Sequence, residues 1–229
     1  MDVTSFALQG VKVDQEYQLS GNGDGIIAWD GKIHSIKACV VSFKNIPKEK
    51  QDEMLSVTYG SDATLTDIQL MHGKKALMFG SGDPDVADKE AKARVEGKWI
   101  GIRNFGRRGP EVQAGYTAVI RDSTIANWGV KDQFDERSFA GWAHHGSDLT
   151  FINCRFEQTS FFQSGLWNCI KDWFNHIGQA VNYSWWNLLS WKTYLPGVCR
   201  GAIATDGGKV KCINCTKNRW WIYLENRSN

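Results

Sequence analysis

No stretch of this sequence approaches the roughly 18 consecutive apolar residues that a membrane-crossing helix needs, and Met1-Asp2-Val3-Thr4 does not open a secretory leader. The sequence therefore predicts no membrane span and no Sec signal. Charge of one sign is also missing: 27 Lys and Arg stand against 25 Asp and Glu, a net +2, too mild to imply nucleic acid. Cysteine is scarce. The six, at Cys39, Cys154, Cys169, Cys199, Cys212 and Cys215, are dispersed through a chain too large to need a disulfide scaffold, and most of them read as buried thiols. Cys212-x-x-Cys215 has zinc spacing but lacks the second pair that closes a structural site. Gly21 to Gly25 is no phosphate loop, because the following Lys-Ser/Thr is absent. Hairpin dipeptides such as Asp24-Gly25 and Asp30-Gly31 are few, which argues against an antiparallel sandwich.

What is present is a recurring β-rich segment. At 42% hydrophobic the chain can bury a substantial core. Ile36 to Phe43, Ala63 to Leu70, Trp99 to Phe105, Tyr116 to Trp128 and Leu149 to Phe156 each alternate apolar with polar residues and end near an aromatic or Leu. Their starts lie roughly 20 to 35 residues apart, a solenoid period. Shorter apolar strands at Ile26 to Trp29, Met54 to Tyr59 and Ala76 to Phe79 fall between them. This predicts an all-β parallel solenoid. The Lys-rich segment Val86 to Glu96 reads as an exposed, briefly helical insertion.

The character changes further on. Eight of the eleven tryptophans fall at or beyond Trp142, and Phe162, Leu166, Cys169, Ile170, Trp173, Phe174 and Ile177 recur at helical spacing. The expected organisation is a β-solenoid over residues 1–156 and a short helical, Trp-rich C-terminal region over 157–229 that continues or caps it. Lys209 to Lys217 and Trp220 to Leu224 return to strand-like alternation. His144-His145 argues only weakly for a metal, because neighbours on a strand point apart.

Three segments carry a resemblance: Asp52-Glu-Met-Leu-Ser-Val57, Gly73-Lys-Lys-Ala-Leu-Met-Phe-Gly-Ser-Gly-Asp83 and Arg108-Gly-Pro-Glu-Val-Gln-Ala-Gly115. In order and spacing these resemble the central motifs of the pectate lyases, polysaccharide lyases built as right-handed parallel β-helices. The resemblance implies Asp24 and Asp52 as calcium carboxylates, Lys75 as the lysine that meets the substrate carboxylate and Arg108 as the arginine that removes the proton. Lys74, His72 and Gln113 are the accompanying substrate-binding candidates. Departures accompany the matches: Ser56 stands where the family has a further aspartate, and Glu111 and Gln113 replace two arginines.

The chemistry is coherent. β-Elimination across a uronate places negative charge on the carboxylate beside the reacting carbon, and Ca2+ with Lys75 would offset it. Arginine serves as a base only where burial and neighbouring cations favour its neutral form. Three outcomes stay open: a lyase acting on an acidic polysaccharide, a hydrolase using carboxylates among Asp52, Glu53, Asp83, Asp85 and Glu111, and a glycan-binding β-helix without catalysis. The resemblance extends to the pectate-lyase-type domain of a bacteriophage tailspike depolymerase, which implies an extracellular or virion-associated homotrimer acting on bacterial capsule.

Overall fold

The computed structural model describes residues 5–29, 31–81, 83, 85, 87–128, 139–157, 200–218 and 223–224. Within them the chain makes seven passes. They comprise β1 (Ser5–Gln9), β2 (Lys12–Val13) and β3 (Ile26–Ala28); β4 (Ile33–Ser42) and β5 (Glu53–Val57); β6 (Asp62–Met71) and β7 (Lys75–Phe79); β8 (Arg94–Phe105) and β9 (Arg108–Val112); β10 (Thr117–Arg121), β11 (Thr124–Trp128) and β12 (Phe139–Ala143); β13 (Asp148–Ile152), β14 (Arg155–Glu157) and β15 (Arg200–Ala204); and β16 (Lys209–Ile213), β17 (Thr216–Lys217) and β18 (Tyr223–Leu224). One sheet runs β1-β4-β6-β8-β10-β13-β16 with β2, β11, β14 and β17 beside it; the other runs β18-β15-β12-β9-β7-β5-β3. Every pairing described is parallel. The protein is all-β, and each pass adds to both sheets.

The apolar alternation explains the core, and one recurring break in it explains the bend. Ala38, Asp67, Trp99, Asp122, Asn153 and Asn214 all have φ between 50° and 57°. Four of these six are Asp or Asn, the residues that best tolerate left-handed backbone. Each sits at the same corner, so alternation restarts one residue out of phase. Leu65 and Ile68 flank Asp67, Phe151 and Cys154 flank Asn153, and all four are buried. In register the inward residues stack into columns, as in Val41–Leu70–Ile102–Ile125–Phe156.

A second corner returns the chain to the large sheet. Tyr59-Gly60, Ala114-Gly115, His145-Gly146 and Asp206-Gly207 each place two successive residues at positive φ, the demand of a tight mirror-image turn. Ser61 and Ser147 follow two of these turns, fully buried. Their hydroxyls accept from the amides of Gly31 (3.2 Å) and Gly115 (2.9 Å), each one corner earlier.

Two expectations hold in part. The Val86 to Glu96 insertion is not simply exposed: Arg94 onward is β8, and only Ala87–Glu90 is helical (α1). Glu90 is fully buried, and its Oε1 accepts from the amides of Tyr59 (2.9 Å) and Ser81 (2.8 Å) and from the Ser81 hydroxyl (2.9 Å). A carboxylate acceptor here satisfies turn donors that would otherwise be buried unpaired. Of the cysteines, Cys39 and Cys154 are buried thiols, but Cys212, on the last described strand of the large sheet, is exposed and Cys215 partly so. Cys169, Cys199 and the helical Trp-rich stretch lie outside the described residues.

The corners generate opposite expectations for glycine. At Ala38 (φ 52°) left-handed backbone costs about 1–2 kcal/mol, against the smaller entropic penalty of glycine, so Ala38→Gly should raise stability by up to about 1 kcal/mol. At Gly60 a Cβ would come 2.6 Å from Lys89 Cβ at φ +73°, so Gly60→Ala should lower it by about 1–3 kcal/mol. Urea unfolding of the two variants checks both, and shifts of the same sign would contradict the corner geometry.

Candidate functional site

The chemistry-bearing residues meet at one edge of the smaller sheet because parallel pairing stacks equivalent positions. Glu53, Lys75 and Arg108 occupy the same register on β5, β7 and β9. Asp24, on the approach to β3, joins them: its Oδ1 accepts the Glu53 amide at 3.0 Å, and the next amide, of Gly25, donates to the Glu53 carbonyl at 3.0 Å. Lys75 Nζ donates to Asp52 Oδ1 at 3.0 Å and to Glu53 Oε1. Asp24, Asp52 and Glu53 each place a carboxylate oxygen within 4.8 Å of the others.

The charge here is not balanced. Burial pushes the Asp52 carboxyl above its ordinary range, with Lys75 pulling it back and Glu53 adding to the rise. Burial and the contact with Asp24 do the same to Glu53, against Lys75. Burial would lower Lys75, but its bonds to Glu53 and Asp52 outweigh that and raise it, so it stands as a fixed ammonium. Lys75 pairs with Asp52 and Glu53, which still hold protons more tightly than usual, beside the third carboxylate of Asp24. Such a site favours additional positive charge.

One strand further, the arrangement inverts. Arg108 pairs with the buried Glu111 carboxylate, its guanidinium 4.3 Å from the centre of the Trp142 ring. Trp142 stacks on His144 at 4.1 Å and 14°, and His144 Nε2 lies 3.1 Å from Glu111 Oε1. Burial would raise Glu111, yet His144 and Arg108 hold it below the usual carboxylate range. Arg107 is lowered by burial and by Arg108, while Glu111, Asp52 and Glu53 raise it. Its guanidinium therefore feels both clusters.

Asp24, Asp52, Lys75 and Arg108, separated along the chain, thus share one edge. The other candidates do not join them in the same way. The Gln113 side chain donates to the Gly80 carbonyl at 2.9 Å and holds a turn. His72 is an exposed corner residue at φ 63°, lowered by partial burial and by Lys44. Lys74 is half-buried beside Lys75, and its carbonyl accepts from the Arg107 amide. Ser56 falls in the column Ile27–Ser56–Met78–Glu111–Trp142. Asp83 holds its own loop, its Oδ1 accepting the Asp85 amide. Sequence reasoning missed Glu53 as the central carboxylate and the Glu111–His144–Trp142 group, because β12 reaches Arg108 only through the register of the passes.

Comparison of the chain with protein-family models, with curated proteins and with solved structures gives no match in any of the three.

Removing the lysine tests the electrostatics. Asp52 and Glu53 have folded-state pKa values raised above their ordinary ones, so the stability linked to their protonated forms is present at low pH and lost as pH rises through the raised values. Lys75→Met raises them further. Its melting temperature should fall below that of the wild type more at pH 7 than at pH 4, with added Ca2+ recovering part of the loss at pH 7. A pH-independent deficit would contradict this picture.

Proposed function

We propose that the chain is a right-handed parallel β-helix of the pectate-lyase kind that cleaves an acidic, uronate-containing polysaccharide by β-elimination. The observation that carries this reading is the side-by-side placement of Asp24, Asp52, Lys75 and Arg108 on one edge of one sheet, on β5, β7, β9 and the approaches to β3 and β5. Handedness follows from the strong right-handed preference of parallel crossover connections. Trp29 and Tyr59, 59% and 38% exposed at the far ends of β3 and β5, offer aromatic faces for a sugar chain crossing the same sheet.

A divalent cation fits the carboxylates. Asp24, Asp52 and Glu53 would hold Ca2+ through oxygen ligands, Glu53 supplying the carboxylate that Ser56 lacks, and the ion would neutralise a uronate carboxylate. Lys75 stays protonated and pairs with that carboxylate as charge develops in the transition state. In the elimination, a base takes the proton from the carbon bearing the carboxylate. The electron pair forms the ring double bond, the glycosidic C–O bond breaks, and the leaving sugar oxygen gains a proton.

The base assignment shifts by one residue from the resemblance. Arg108 is tied up in an ion pair with the buried Glu111, whereas burial and Arg108 itself favour a neutral Arg107. We assign proton removal to Arg107 and carboxylate binding to Arg108. On the phage depolymerase reading the substrate is a bacterial capsule and the partners are two further copies of the chain.

Acidic polysaccharides of differing uronate composition, incubated with and without a chelator, provide the test. The expected result is an unsaturated product detected by its ultraviolet absorbance, lost on chelation. Lys75→Ala and Arg107→Ala should each lower kcat by about 10²–10³ with the circular dichroism unchanged. New reducing ends without the chromophore would establish hydrolysis instead, and binding without cleavage would establish a glycan-binding module.

A further inference from the structure

We propose a second, separate metal site for a divalent ion of the zinc class, formed by His144, His145 and Asp206 where two successive passes turn. Each of the three offers a ligand atom within 4.8 Å of the others. The sequence argues against this pair of histidines because neighbours on a strand point apart. The structure removes that objection. β12 ends at Ala143, and His145 turns into left-handed backbone at φ 51°, which brings the two imidazole centroids to 4.5 Å.

Asp206 arrives through the register. Ala143 pairs with Ala204, so the turns His145-Gly146 and Asp206-Gly207 are equivalent and adjacent, both with paired positive φ, and the Gly146 amide donates to the Asp206 carbonyl at 3.1 Å.

An independent feature points to a ligand. His144 is 5% exposed, stacked on Trp142, and its Nε2 is engaged by Glu111 at 3.1 Å. When the Nε2–H donates to the Glu111 carboxylate, Nδ1 is the ring nitrogen left to coordinate an ion. A carboxylate bonded to the far ring nitrogen is the arrangement found behind metal-bound histidines. The remaining two groups, His145 and Asp206, are exposed and accessible to an ion from solvent. Two imidazoles and one carboxylate form the ligand set of an open zinc site, with the fourth position left for water or a ligand oxygen. Bound there, the ion would staple the two turns and add positive charge beside Arg108 and Trp142. The site stands whether or not the chain cleaves glycans.

The untagged, chelator-stripped chain, titrated calorimetrically with Zn2+ and followed with Co2+ by visible absorption, tests it. The expected result is one saturable equivalent, tetrahedral Co2+ bands and a rise in melting temperature. His145→Asn and Asp206→Asn both keep a residue tolerant of left-handed backbone. Each should weaken binding at least about tenfold with unchanged metal-free melting, and Glu111→Gln should weaken it about 10–100-fold. Absence of saturable binding would overturn the proposal. So would binding that survives both turn variants and vanishes in the Cys212→Ser, Cys215→Ser double variant, because the ion would then sit on the thiols.

Discussion

In-register parallel pairing is the constraint on which everything else rests. Because each pass of chain lies directly on the last, equivalent positions stack, and any residue type repeated at one position becomes a column. Val41, Leu70, Ile102, Ile125 and Phe156 make such a column in the core. Glu53, Lys75 and Arg108 make another at the sheet edge. A shift of one residue in β7 would turn Lys75 away from Glu53 and bring an apolar side chain beside it. Fold and candidate site are therefore specified together.

The strands were legible because their burial period is local. Ile36 to Phe43, Ala63 to Leu70 and Leu149 to Phe156 alternate in sequence and lie within strands or strand pairs in the structure. The corners were harder to read. Asp206-Gly207 has the familiar dipeptide, whereas Tyr59-Gly60, Ala114-Gly115 and His145-Gly146 hide the same turn behind a variable first residue. Glu90 was misread for a related reason: within a Lys-rich segment it looks solvated, yet a turn two passes wide needs its carboxylate.

The site was half legible. Motif order brought out Asp24, Asp52, Lys75 and Arg108, which the register then sets side by side. What that order could not show is how neighbouring passes redistribute charge. Glu111 replaces an arginine of the resemblance and ties Arg108 to His144 and Trp142. Glu53, one residue from the expected Asp52, has a carboxylate oxygen within 4.8 Å of those of Asp24 and Asp52, whereas Ser56 offers no carboxylate. The result is a surface with an anionic half centred on Asp52 and Glu53 and a cationic, aromatic half centred on Arg107, Arg108 and Trp142. On the proposed function, a chain of alternating sugar rings and carboxylates with a bound cation would complement that division.

The most direct measurement is a crystal structure of the Arg107→Ala variant with a short oligouronate and Ca2+. The account predicts the ion on Asp24, Asp52 and Glu53, with one uronate carboxylate reaching it and Lys75, and the reacting carbon facing position 107. An oligosaccharide bound away from this edge, or an ion that leaves all three carboxylates uncoordinated, would contradict it.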